Sequence, residues 1–143
     1  MRGEANATGT TITFKPDHQI FPDLVFSFET LRGRLRELAF LNKGVTIDIR
    51  DERFDKNENF CYEGGIVSFV DYLNKGRAVL HKKPIYMEAE RQGVSIEVCA
   101  QYNDTYAEKI FSFANNIRTQ EGGTHVIGFK SALTRSLNQY AST

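Results

Sequence analysis

The chain has 143 residues, 41% of them hydrophobic and 25% charged, which is enough for one real core and close to the composition of an ordinary water-soluble domain. Its 18 basic and 18 acidic side chains cancel, which excludes a global field toward nucleic acid or acidic membranes and leaves only local patches for such contacts. No apolar run approaches the ~18 residues of a membrane span, and Met1-Arg2-Gly3-Glu4 is too polar for a signal peptide, so a cytoplasmic protein with no membrane contact is expected.

Thr8-Gly9-Thr10 leads into the alternating β-branched stretch Thr11-Ile12-Thr13-Phe14, which stops at Pro16 and reads as a short strand. Asp17 to Phe26 has no clean period and reads as a linker anchored by Phe21 and Phe26. Phe28, Leu31, Leu35, Leu38 and Ala39 fall at helical spacing, with Arg32, Arg34 and Arg36 off that stripe and Asn42-Lys43-Gly44 as the stop. Val45, Ile47 and Ile49 then alternate with Thr46, Asp48 and Arg50, the period of a half-buried strand. A polar loop from Asp51 to Asn59, with mixed charges on a solvated strand end, precedes a short strand at Phe60-Cys61-Tyr62.

Glu63-Gly64-Gly65 turns the chain into a helix carrying Ile66, Phe69, Val70 and Leu73 on one side, ended by Gly76. Two strands pair across Gln92-Gly93, with Ile85, Met87 and Ala89 facing Val94, Ile96, Val98 and Ala100. Lys109 to Ile117 reads as a further strand. The last element is a helix from Thr124 to about Tyr140, whose stripe of Val126, Phe129, Leu133, Leu137 and Tyr140 is expected to pack on the sheet. Short antiparallel connections favour an α+β layer, with helices on one face, over a doubly wound parallel sheet.

The residues offer little reactive chemistry. There is no Gly-x-Ser-x-Gly elbow, P-loop or Gly-x-Gly-x-x-Gly, and no set of His, Cys, Asp and Glu has metal-chelating spacing, so no catalytic and no metal residue is assigned. Cys61 and Cys99 lack a CxxC partner and read as buried thiols. His125 sits in the first turn of the last helix, where turn packing is the ordinary role. Gly122-Gly123 ahead of that helix is either a turn or an anion cradle, and the missing Gly-Lys-Ser/Thr ending favours the turn. In the helix itself Lys130 borders the apolar stripe and Arg135 points to the far side; Lys130 is placed either to snorkel over its neighbours or to reach a phosphate backbone.

Leu35-Arg36-Glu37-Leu38-Ala39-Phe40-Leu41-Asn42-Lys43-Gly44 resembles a signature of the B subunits of DNA gyrase and topoisomerase IV. Phe14 with Pro16-Asp17, Tyr62-Glu63-Gly64-Gly65, Asp71-Tyr72-Leu73-Asn74-Lys75, Asn115-Asn116-Ile117, Glu121-Gly122-Gly123-Thr124-His125 and Gly128-Phe129 through Leu137-Asn138 resemble that family in the same order. The resemblance implies that residues 1–16 are the last strand of a GHKL-type ATPase domain and a linker. It implies that residues 17–143 are a transducer domain of ribosomal protein S5 domain 2-like α+β fold, truncated on its C-terminal side.

It further implies a parent ATP-dependent type II topoisomerase, an isomerase using ATP and Mg²⁺, that passes one DNA duplex through another as an A2B2 heterotetramer with a gyrase A-type subunit. Thr10 resembles the threonine that lines the adenine pocket, and Lys130 stands where the family usually has an arginine in the cavity that holds the transported duplex. Lys130 keeps the charge and loses the bidentate fork. Lys130 and Arg135 are therefore the expected contacts to double-stranded DNA. The ATPase domain of the same chain is the expected intramolecular partner. The 143-residue chain alone is expected to bind no cofactor and to be inactive. The alternative is a stand-alone S5-like RNA-binding or assembly module, which Asp48, Glu88, Glu90 and Glu97 on the strands disfavour.

Overall fold

The structure is a computed structural model that describes residue 10 and residues 12–143. Helix α1 spans Phe28–Leu41 as the periodicity predicts. Its entry is fixed by Ser27, whose Oγ accepts the Thr30 N–H at 3.3 Å and so satisfies one of the free first-turn donors. At its end Asn42 returns both its backbone N–H (3.1 Å) and its Nδ2 (2.7 Å) to the Leu38 carbonyl.

Strands β1 (Ile47–Asp51) and β2 (Lys56–Phe60) form an antiparallel hairpin in which Ile47 faces Phe60 and Asp51 faces Lys56. The expected nine-residue loop is thus only four residues long, and the second strand ends at Phe60 instead of running on to Tyr62. Lys56-Asn57-Glu58-Asn59 shows no apolar alternation because both its faces are largely polar. Pairing with β1, not hydrophobic burial, makes it a strand.

Helix α2 (Ile66–Leu73) starts from Gly65 at φ +56°, a left-handed conformation that a Cβ would strain. Helix α1 packs against β1, β2 and α2, and an aromatic core forms between them. Phe40 stacks on Tyr62 (centroids 3.7 Å apart) and on Phe69 (5.0 Å), and Phe69 meets Phe111 edge-on at 5.4 Å. Ala39, Phe40, Phe60 and Phe69 are buried.

Strands β3 (Ile85–Arg91) and β4 (Val94–Ala100) pair in the expected register, with Met87 opposite Val98 and Ala89 opposite Ile96. Gln92 (φ +53°) and Gly93 (φ +75°) form the two-residue turn whose twist matches the strands. Helix α2 packs on β4. The Lys109–Ile117 strand is replaced by a tight hairpin of β5 (Phe113–Ala114) and β6 (Ile117–Arg118), because Asn115 and Asn116 both take positive φ and reverse the chain. Asparagine tolerates that region better than other residues with a Cβ.

Helix α3 (Thr124–Ala141) has the predicted length and buries no residue, so the expectation that its stripe packs on the sheet is not met. The α+β class holds, with antiparallel pairing throughout. Among the described residues the pairings fall into three two-stranded ribbons, so no single broad sheet lies beneath α3.

At the other end, Ile12, Thr13 and Phe14 belong to no strand and Ile12 and Phe14 are exposed, so alternation there found no partner edge; Thr8, Gly9 and Thr11 lie outside the described residues. In the following stretch Phe26 meets Phe14 edge-on at 6.3 Å, whereas Phe21 is exposed and anchors nothing. Cys61 is exposed, not buried, and Cys99 is half-buried.

Candidate nucleic-acid interface

Lys130 and Arg135 lie five positions apart on α3, yet both line one open groove of about 520 Å³ with Ser131, Thr134 and Asn138. Thr134 Oγ1 donates to the Lys130 carbonyl at 2.9 Å, so this hydroxyl is occupied within the helix. Lys130 Nζ lies 2.6 Å from Glu108 Oε1, with both side chains at least half exposed. Arg135 is exposed and forms no ion pair among the described residues.

The basic residues of α1 are spent elsewhere. Arg32 and Arg36 converge on Glu58, Arg36 at 2.6 Å, and Arg34 pairs with Glu37 at 2.9 Å. Burial works to raise the Glu58 carboxyl, and the two guanidinium bonds more than offset it, leaving Glu58 below the usual carboxylate range. Arg36 also lies over the Phe60 and Tyr72 rings. Each of these guanidinium groups is engaged by a carboxylate, whereas Arg135 has no such partner among the described residues.

Gly122 and Gly123 shape the turn before α3, at φ +80° and +154°. A Cβ on Gly123 would sit 2.8 Å from the His125 ring, and His125 Nε2 lies 3.3 Å from Thr119 Oγ1. His125 thus packs the turn. Thr10, the expected adenine-pocket residue, is exposed. No group of three His, Cys, Asp or Glu side chains among the described residues is arranged to hold a metal ion, and none of their helices is long and apolar enough to cross a membrane.

Lys43 was not singled out by sequence reasoning, although it lies within the Leu35–Gly44 segment. Its aliphatic stem covers Gly65, where a Cβ would come within 2.6 Å of Cγ, and its Nζ reaches Glu97 at 2.8 Å and Tyr86 Oη at 3.3 Å. The bond to Glu97, then that to Tyr86, raises the lysine above its ordinary value. Tyr86, 2.6 Å from Glu97, is pushed up to about 12 by that carboxylate. This cluster ties the end of α1 to β3 and β4. The lack of a Cβ at Gly65 was its one sequence signal. Glu108 was missed too, because an ion pair across 22 residues leaves no local pattern.

The DNA gyrase B family model matches residues 65–143. The DNA gyrase B subunit of Clostridium acetobutylicum is 58% identical over 140 residues, covering 97% of this chain and 22% of that protein. The corresponding B subunit of Myxococcus xanthus DNA gyrase is 55% identical over 139 residues, covering 97% of this chain and 17% of that protein. The chain spans about a fifth of the length of these curated relatives. Among solved structures, the 43K ATPase domain of Thermus thermophilus gyrase B in complex with an aminocoumarin aligns at a TM-score of 0.77 and 40% identity, over 90% of this chain and 35% of that one. The B-subunit of the DNA gyrase from Myxococcus xanthus aligns at 0.83 and 24% identity, over 97% of this chain and 42% of that one, a likeness of fold.

Proposed function

The chain belongs to the DNA gyrase B family, and from that premise we propose that it is the transducer segment of the ATPase subunit of a bacterial type II DNA topoisomerase, coupling ATP binding and hydrolysis to DNA strand passage. The observation that carries the reading is the family match over residues 65–143, which contains α3 with Lys130 and Arg135 on one open groove. Residues 1–16 belong to the end of the ATPase domain and residues 17–143 to the transducer. Thr10 contributes to the adenine pocket only together with the rest of that domain. The protein works in the cytoplasm as an A2B2 assembly with a gyrase A-type partner.

In this reading the 143-residue chain does no chemistry. It is expected neither to bind ATP tightly nor to hydrolyse it, and measurable ATP turnover by the purified chain would overturn this. Lys130 and Arg135 contact duplex phosphates, which position the DNA without reading its sequence. Coupling is a rigid-body rotation of this segment against the ATPase domain between two states, which moves the α3 groove relative to the duplex.

The test is the intact ATPase subunit carrying Lys130→Gln and Arg135→Gln, assembled with its A-type partner. DNA-stimulated ATP turnover and supercoiling are expected to fall about tenfold, near the ~1.4 kcal/mol that two exposed charge contacts supply together. Unchanged supercoiling with unchanged DNA stimulation would overturn the assignment of these residues.

A further inference from the structure

Between Asp71 and Glu88 the chain carries Lys75, Arg77, Lys82 and Lys83 with no acidic residue. In a protein of zero net charge this is a local excess of positive charge. It lies in the connection between α2 and β3, where a loop of this length would ordinarily be mobile. Here it is held. Leu80 N–H donates to the Tyr102 carbonyl and Asp104 N–H to the Ala78 carbonyl, both at 2.9 Å, and Val79 bridges Asn103. Gln101 Nε2 reaches the His81 carbonyl at 2.9 Å, while its Oε1 accepts from Asn74 Nδ2 at 2.8 Å.

His81 closes the loop from inside. Its Nδ1 lies 2.8 Å from the Lys83 carbonyl, which can only accept, and its Nε2 lies 3.0 Å from the Tyr102 N–H, which can only donate. The ring is therefore the neutral tautomer with the proton on Nδ1, a bidentate clasp between the lysine pair and β4's continuation. These bonds occupy the loop's backbone and its neutral polar side chains. They leave the exposed ammonium groups of Lys75, Lys82 and Lys83 outside every ion pair among the described residues, and neither Asp71 nor Asp104 pairs with them. Tyr102, 53% exposed, meets the His81 ring edge-on at 5.9 Å.

We propose that the Lys75–Lys83 segment is a second phosphate-contacting edge for duplex DNA, additional to the α3 groove and preset by the His81 clasp. The inference rests on the reading of this chain as part of a DNA topoisomerase. Free lysines on an ordered loop lose less conformational freedom on binding than lysines on a mobile one, so more of each charge contact appears as affinity. Their contacts go to the backbone, which makes the edge indifferent to sequence and sensitive to salt.

The test compares the intact ATPase subunit with its Lys75→Gln/Lys82→Gln/Lys83→Gln variant, each titrated with a fluorescent 30-base-pair duplex over a range of salt. Each lost phosphate contact removes ~0.9 from the slope of log K against log salt, so the triple variant is expected to lose about 2 to 3 from the slope and on the order of tenfold in affinity. His81→Ala keeps the three charges; it is expected to weaken binding a few-fold at an unchanged slope.

A triple variant with the original slope overturns the proposal, as does a His81→Ala slope as low as the triple variant's. Preference of the unsubstituted protein for phosphatidylserine vesicles over the duplex overturns it as well. The lysines play no part in the Lys130 and Arg135 variants. Loss of supercoiling in those variants with an unaltered slope in the loop variant would sink this inference alone, and the converse result would sink only the α3 assignment.

Discussion

Helices α1 and α3 are both amphipathic, yet α1 seats Ala39 and Phe40 at 0% and 1% exposure while α3 buries nothing and leaves Leu137 54% and Tyr140 84% exposed. Periodicity states that a helix has an apolar side; it does not state what covers that side. Helix α1 finds its cover nearby, in the β1–β2 hairpin and α2, through stacked aromatics. Among the described residues the stripe of α3, and the exposed residues Met87 (45%) and Ile96 (54%) of β3–β4, meet no such cover. Buried packing is thus concentrated around α1, while cations without a carboxylate partner among the described residues lie at Arg135 on α3 and in the loop before β3.

The largest effect expected from this contrast is on unfolding by urea. Phe40→Ala removes a ring packed against Tyr62, Phe69 and Tyr72 and is expected to cost about 3–5 kcal/mol, as for other buried phenylalanines. Leu137→Ser on α3 is expected to stay within about 0.5 kcal/mol, as at other exposed positions. Comparable losses at the two sites would erase the distinction between the helices.

A smaller effect, and one with a pH signature, lies at the edge of the same core. Asp51, expected on a solvated strand end, is 8% exposed and held by Arg53 through Nε (2.8 Å), Nη2 (2.6 Å) and the backbone N–H (3.0 Å). The Arg53 side chain, opposed by burial, keeps this carboxyl below its ordinary value. A carboxyl depressed in the folded state contributes stability that is complete above its unfolded value of ~3.9 and is lost as pH falls through the folded one. Urea midpoints of the unsubstituted chain should therefore drop as pH goes below about 4, and those of Asp51→Asn should start lower and drop less over that window. Parallel pH curves would place Asp51 in solvent, as its sequence suggested.

The elements that the sequence makes legible are those whose signal is local. Phe28 to Ala39 gives α1 by spacing alone, and Gln92-Gly93 gives the β3–β4 turn because few residue pairs accept two positive φ values. Lys56–Asn59 is a strand only because β1 lies beside it, so nothing in its own composition shows it. Asn115-Asn116 had the right chemistry for a reversal, but the apolar residues around it suggested one continuous strand. For the proposed DNA contacts, Lys130 and Arg135 were named on charge, and Lys130 also on resemblance. Their shared groove, the Glu108 pair and the His81 clasp depend on distant residues that no local pattern marks.

The smallest expected effect on stability tests the free-charge half most directly. Glu108 holds Lys130 at 2.6 Å with both groups largely in water, an arrangement that contributes about 0–1 kcal/mol. Glu108→Gln should therefore leave the urea midpoint almost unchanged. In the proposed reading, the same carboxylate competes with a phosphate for the Lys130 ammonium. Removing its charge in the intact protein should then raise duplex affinity about two- to fivefold at low salt, the scale of an exposed pair, and the gain should fade as salt screens it. It should also vanish in a Lys130→Gln background, because the competition needs both partners. A gain of equal size without Lys130 would mean that Glu108 acts only by repelling the duplex, and no gain at all would mean that Lys130 leaves its carboxylate for nothing.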